Sequence, residues 1–250
     1  MKKYLVGVAV VALLGAVMAP AEAGNWSGFY IGANGGWSMS SVTDSETPWG
    51  VTGIADITPH SFRTSMNGAM FGGQAGYNWQ MDEWVLGLEG DFDGASASGS
   101  RGIVFPSLLV PTNTDAFAVT EKLNWLASIR ARIGWDLGPG FLYATGGAAW
   151  ESKTDSGLMS ANTAPAVFGN SALFKFSHTR SGFAVGAGYE TDIAPNWTLR
   201  AEYLYYGFSS ARTDTVTLPN CATATCGVFA TTGVNNVNAI RVGVNYMVGP

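Results

Sequence analysis

An all-β fold, namely an eight-stranded antiparallel up-and-down transmembrane β-barrel with four long extracellular loops, is predicted by three observations in the 250-residue chain. The first 23 residues have the form of an export signal, charged residues make up only 12% of the chain against 47% hydrophobic, and charge keeps to one parity in eight successive segments. Each is argued below from the residues that carry it.

Lys2 and Lys3 form a basic start, Leu5 to Val17 an uncharged apolar core, and Ala21-Glu22-Ala23 a small-residue cleavage site. The apolar stretch is short for a membrane anchor and no stop-transfer flank follows it. The reading is therefore a cleaved secretory signal over 1–23 and a single barrel domain over 24–250. Removing Lys2, Lys3 and Glu22 from the 13 basic and 18 acidic residues leaves 11 and 17, a mildly acidic mature chain. No cluster of Lys and Arg longer than a pair survives, so a phosphate-tracking surface has no footprint and nucleic acid is excluded as a partner. Soluble domains carry about 25% charged residues, so much of this surface faces something other than water. After residue 23 no apolar window reaches the length of about 18 residues that a spanning helix needs. Only helices and closed barrels satisfy every backbone group in lipid, which leaves the barrel.

Period-2 alternation defines the strands in order. In Ser27 to Met39, Phe29, Ile31, Ala33, Gly35 and Trp37 share the lipid face, with Gly32, Asn34, Gly36 and Ser38 on the other. Asn67 to Trp79 sets Phe71, Ala75, Tyr77 and Trp79 against Gln74 and Asn78. Glu83 to Ala95 sets Trp84, Leu86, Leu88 and Phe92 against Glu89, Asp91 and Asp93. Leu123 to Leu137 sets Trp125, Ala127, Ile129, Ile133 and Trp135 against Asn124, Ser128, Arg130 and Arg132. Phe141 to Lys153 sets Leu142, Ala144, Ala148 and Trp150 against Thr145, Glu151 and Lys153. Arg180 to Asp192 sets Phe183, Val185, Ala187 and Tyr189 against Arg180, Glu190 and Asp192. Trp197 to Tyr206 sets Leu199, Ala201, Tyr203 and Tyr205 against Thr198, Arg200 and Glu202. Ala239 to Val248 sets Ile240, Val242, Val244, Tyr246 and Val248 against Arg241, Gly243 and Asn245.

Tight turns are expected at Trp79 to Trp84, Asp136 to Gly140 and Ile193 to Asn196, and the other four gaps, each of about 25 residues, are long for ordinary loops. Short periplasmic turns alternating with long outer loops fit an outer-membrane barrel. Trp26, Trp79, Trp84, Trp135 and Trp197 are expected in an aromatic girdle at the short-turn end, and Trp37, Trp125 and Trp150 in one at the long-loop end.

These residues, above all Trp26-Ser27-Gly28-Phe29-Tyr30-Ile31-Gly32-Ala33-Asn34-Gly35-Gly36-Trp37, give the chain its resemblance to the small outer-membrane β-barrel surface antigens of alphaproteobacteria. That porin-annotated group is similar in shape to the transmembrane domain of OmpA. Leu142 to Trp150, Gly186 to Glu190 and Val242 to Tyr246 support the resemblance, which spans essentially the whole mature chain. It implies residence in the cell outer membrane and a surface role, and no reaction. Such barrels usually end on a strand with a terminal aromatic, whereas this chain ends Tyr246-Met247-Val248-Gly249-Pro250.

The inward set of Glu89, Asp91, Asp93, Glu151, Glu190 and Glu202 against Arg130, Arg132, Lys153, Arg200 and Arg241 is expected to form an ion-pair network filling the lumen, because buried charge persists only when paired. An eight-stranded interior is just wide enough for side chains, so a wide open pore is not expected. Glu89 to Gly94 superficially matches the start of a calcium loop, but Ser100 stands where a bidentate carboxylate is needed, and no metal or cofactor is predicted. His60 and His178 assemble into no triad by spacing. Cys221 and Cys226, exported and four residues apart, are expected to form a small loop disulfide. Ile103 to Pro111 and Ala164 to Phe168 are apolar for outer loops, and either pack on one another or contact a ligand. The function expected is that of a noncatalytic barrel serving envelope integrity and surface interaction. Its partners would be outer-membrane lipid and, at the loops, a host or envelope component or a small apolar ligand. The alternatives are a small porin or a receptor for a planar apolar ligand such as haem, and, third, a lipid-modifying hydrolase.

Overall fold

Alternating apolar and polar side chains let one face of each segment meet lipid while the other fills an interior, and a sheet with two such faces must close on itself to leave no unpaired edge. The computed structural model describes residues 25–49, 60–106, 114–162, 169–208, 212–217 and 227–248, so the signal segment, Ala164 to Phe168, Cys221 and Cys226 lie outside the described residues. All regular structure there is β: β1(Gly28–Trp49), β2(His60–Met81), β3(Trp84–Ala95), β4(Ser98–Pro106), β5(Thr114–Asp136), β6(Gly140–Asn162), β7(Gly169–Ala194), β8(Trp197–Phe208), β9(Arg212–Thr217) and β10(Gly227–Val248). Every pairing is antiparallel, and the ring runs β1, β2, β3, β5, β6, β7, β8, β10. Pairing of β1 with β10, from Phe29↔Val248 to Trp49↔Gly227, closes it.

The two remaining strands extend this ring upward. β4 takes over from β3 after a break at Ser96 and Ala97 and pairs with β5, while β9 pairs with the upper part of β10. The periplasmic turns are tight because their residues tolerate left-handed backbone: Asp82 has φ 54°, Asn196 φ 65° and Gly138 φ 90°.

The upper strands depart from the expectation of long loops. Pairing between β1 and β2 continues to Glu46↔His60, between β5 and β6 to Ala116↔Ser160, and between β6 and β7 to Asn162↔Gly169. Much of the expected loop sequence is therefore wall. Above the bilayer both faces contact polar surroundings, so the hydrophobic alternation that marks a strand fades while the backbone pairing does not. Ile103 to Pro106, expected in a loop, belong to β4, and His60, expected in the first loop, opens β2.

Outward apolar side chains form the lipid-facing band, among them Ile31, Leu88, Ile129, Leu142, Val185 and Val242. Aromatic contacts bound it. At the periplasmic end Trp84 meets Trp135 at 4.8 Å, Trp197 meets Tyr246 at 5.2 Å and Trp79 meets Tyr77 at 4.6 Å between ring centroids. At the outer end Phe92 meets Trp125 at 5.5 Å, with Trp37 and Trp150 also facing outward. Trp26 corrects the girdle assignment. It precedes β1, and its side chain is only 1% exposed, packed inside the periplasmic mouth at 4.7 Å from Phe141. Its backbone is unpaired by any neighbouring strand; its N–H donates instead to Gln80 Oε1 at 2.8 Å, which holds it at the mouth rather than on the wall.

Candidate functional site: a filled lumen

The interior is stacked in layers, each drawn from the inward parity of several strands. The lowest is aromatic and apolar: Trp26, Val85, Phe141 and Tyr143. Above it Arg132 lies 4.6 Å from the Tyr30 ring centroid, 5.2 Å from that of Phe141 and 5.3 Å from that of Tyr143, a desolvated cation among π faces. Arg132 Nε donates to Asn78 Oδ1 at 2.9 Å and Nη1 to Glu190 Oε2 at 3.0 Å. Glu190 Oε1 accepts from Thr198 and from Asn245 Nδ2, and Asn245 Oδ1 accepts from Gln74 Nε2 at 2.7 Å, so the carboxylate is held by neutral donors as well as by charge.

The central layer is a continuous network. Arg130 reaches Glu89 Oε1 at 2.7 Å, Asp91 Oδ2 at 3.0 Å and Glu202 Oε1 at 2.9 Å. Arg200 bonds Glu89, while Arg241 bonds Asp91 Oδ1 at 3.0 Å, Glu202 Oε2 at 2.6 Å and Asp93. Tyr30 and Ser128 add hydroxyl donors to Glu89 and Asp91. The acids come from β3 and β8 and the arginines from β5, β8 and β10, so the network ties opposite walls together across the lumen. Bidentate guanidinium geometry suits this role, since one planar group can satisfy several carboxylates at fixed angles.

Two glycines make the room. A Cβ on Gly76 would lie 2.3 Å from Tyr30 Oη, and one on Gly188 would lie 2.5 Å from Tyr143 Oη. The bare backbone at these positions lets each phenol lie flat across the neighbouring strand and reach the central carboxylates.

An apolar layer caps the network, with Met70, Leu126, Ala149, Ala184, Leu204 and Tyr206 among its members. Glu151 and Lys153 lie beyond it, in a second polar group, and do not join the central network as expected. Lys153 Nζ meets Glu121 Oε2 at 2.8 Å, and Glu151 accepts from Asn235 Nδ2 at 2.6 Å. His178 lies in β7 within this upper group, its Nε2 2.8 Å from Asp214 Oδ2 of β9. Sequence reasoning missed Glu121, Asp155 and Asp214 as members. The signal for Glu121 was available: Val119, Glu121 and Leu123 share one parity and are all buried. A bulge then separates Leu123 from Trp125 in the pairing with β6 and resets the alternation. Asn124, expected to face inward, sits at that bulge and donates to Thr154 Oγ1 at 2.9 Å on the outer wall.

A closed antiparallel ring, a girdled apolar exterior and a charge-filled interior together describe an integral outer-membrane β-barrel. Comparisons with known proteins point the same way. The chain is similar to the 31 kDa outer-membrane immunogenic protein of Brucella melitensis biotype 1, with 34% identity over 237 residues, covering 91% of this chain and 86% of that one. It is similar to the 22 kDa outer membrane protein of Rhizobium leguminosarum bv. viciae, with 30% identity over 190 residues, covering 75% and 67%. Among solved structures it is similar to the outer membrane protein OprG from Pseudomonas aeruginosa, at 13% identity and TM-score 0.46, covering 91% of this chain and 100% of that one. The model of the outer membrane protein beta-barrel domain matches residues 8–247, and the chain belongs to that family.

Proposed function

We propose that this outer-membrane barrel is a noncatalytic, nonconducting wall element that contributes to envelope integrity and offers its extracellular extension as the interacting surface. One observation carries the reading: Arg130, Arg132, Arg200 and Arg241, all nearly solvent-free, bind five carboxylates between an aromatic layer below and an apolar layer above. Ions crossing such a lumen would have to break charge-assisted bonds in a low-dielectric interior, which is costly for the groups left behind. The noncatalytic part is supported by the chain's relatives in Brucella, which are outer-membrane immunogenic proteins.

Planar-bilayer recording from purified, refolded protein tests the reading. It should give no large, stable conductance, and Arg130→Ala should raise ion leakage by loosening the network. Steady nanosiemens-scale channels from wild-type protein would replace the wall reading with a porin. Unchanged lipid A acylation on expression is expected in parallel. Ligand capture at the mouth is a second reading, favoured by the inward ladder in which Phe174, Phe176 and His178 follow at centroid spacings of 5.8 and 6.2 Å. Saturable quenching of barrel fluorescence by a planar apolar ligand, lost in Phe176→Ala, would support it.

A further inference from the structure

Charge on the outer surface is segregated by sign along the barrel axis. Among the described residues the periplasmic rim carries Asp82, Glu83 and Asp136 and no cation. Above the outer aromatic girdle the order reverses: the carboxylates of Glu121, Glu151 and Asp155 point inward and are buried, and no described outward side chain is acidic. In a chain with more acids than bases this is a strong asymmetry. It is sharpest on the β5–β7 face, where the register places Lys122, Thr154 and Ser177 in one row and Thr120, Ser156 and Lys175 in the next outward row. The result is a six-residue grid of four hydroxyls with lysines at opposite corners. Strand spacing and rise separate the two lysine backbones by about 12 Å, within reach of one headgroup once both side chains extend. Thr154 and Ser177 are hydrogen-bonded at 3.0 Å, and both lysines are exposed with no carboxylate partner among the described residues.

Position selects the ligand. Lys122 stands three residues beyond Trp125, and aromatic belts mark the level of the headgroups. Side chains just past the belt therefore face the sugars and phosphates of the outer leaflet. Hydroxyls matched to sugar hydroxyls, cations matched to phosphate, and exclusion of acid from the same surface are complementary to one occupant. We propose that this grid binds the phosphorylated glycolipid headgroup of the outer leaflet, with Lys122 and Lys175 holding phosphate and Thr120, Thr154, Ser156 and Ser177 lining the sugar.

The test uses the refolded full mature chain in phosphatidylcholine nanodiscs, titrated with lipopolysaccharide, with dephosphorylated lipopolysaccharide and with inorganic phosphate. A lysine near an anionic lipid surface contributes about fivefold in affinity, so Lys122→Gln should weaken lipopolysaccharide binding about fivefold and the Lys122→Gln/Lys175→Gln variant about 25-fold. Asp82→Asn at the opposite rim should leave it unchanged. Dephosphorylated lipopolysaccharide should bind wild type about as weakly as intact lipopolysaccharide binds the double variant. Equal affinity of wild type and double variant, or full affinity for the dephosphorylated lipid, overturns the proposal. Displacement by equimolar inorganic phosphate does so as well, by identifying a simple anion site. Unchanged heat-modifiable mobility on gels certifies that the variants are folded. If the double variant does not fold, wild-type affinity must fall steeply with added salt, and salt-independent binding overturns the proposal on its own.

Discussion

Arg130 has three carboxylates within salt-bridge distance and no exposure to solvent, so its charge is held entirely by protein groups. Truncating it leaves Glu89, Asp91 and Glu202 with one cation fewer among them, Glu89 depending on Arg200 and the other two on Arg241. Arg130→Ala should destabilise the barrel by about 3–5 kcal/mol, the range for breaking a buried pair from one side, measured by urea unfolding in lipid vesicles. Val185 makes the opposite case on the outer face, 46% exposed on the surface that meets lipid. Val185→Arg should cost about 2–4 kcal/mol in the same assay, because a cation at mid-bilayer is poorly solvated. Equal stability of that variant and wild type would reverse the assignment of faces. The side on which each residue lies was legible in the sequence, since parity alone places Arg130 inward and Val185 outward. Partners were not: Glu89 and Glu202 stand 41 and 72 positions from Arg130, and while the register of β3 on β5 sets Glu89 opposite it, only closure of the ring brings Glu202 across. Trp26 shows the limit at this scale. Nothing in its composition separates an aromatic on the rim from one folded into the mouth.

Strands were legible where lipid enforces alternation and illegible where it does not. Residues 29–39 and 240–248 announce themselves, whereas Ser40 to Trp49 and Gly227 to Asn238 are equally paired and lack an apolar face to show it. Bulges are a further blind spot, because the shift at Asn124 inserts a residue without any glycine or proline to mark it. The seam between the first and last strands can be probed at Gly36, where a Cβ would approach Ile240 backbone oxygen to 2.1 Å. A side chain there must push the two backbones apart. Gly36→Val should therefore reduce the folded fraction seen as heat-modifiable mobility. Gly90→Ala on β3, where the nearest atom to the new Cβ is Ser128 oxygen at 3.9 Å, should leave that fraction unchanged. Equal folding of the two variants would show that the seam tolerates more separation than its register implies.

For the molecule as a whole, the two ends differ in length, charge and connection. The periplasmic rim has tight turns and acids, and the outer end has long paired extensions and outward lysines. Orientation follows, and it can be read on intact cells. In a Cys221→Ser/Cys226→Ser background, Lys175→Cys should react with a membrane-impermeant maleimide added from outside, whereas Asp82→Cys should react only after the outer membrane is permeabilised. Labelling of Asp82→Cys on sealed cells would invert the barrel. The division of charge between faces was visible in the sequence, but the separation of the inward charges into two storeys was not. Leu126, Ala149, Leu204 and Ala239 come from four different strands, and they form a dividing layer only once registers are fixed.

The pairing of Phe29 with Val248 also dictates the order of events during biogenesis. The first strand of the ring finds its mate only in the strand of the ring that is made last. No partial chain can therefore complete the fold, however much of it has crossed the inner membrane. Until closure, both margins of the nascent sheet offer unsatisfied amides and a greasy surface to water, the condition under which β-rich chains aggregate. Whatever keeps those two margins covered until they meet decides whether the chain folds or aggregates.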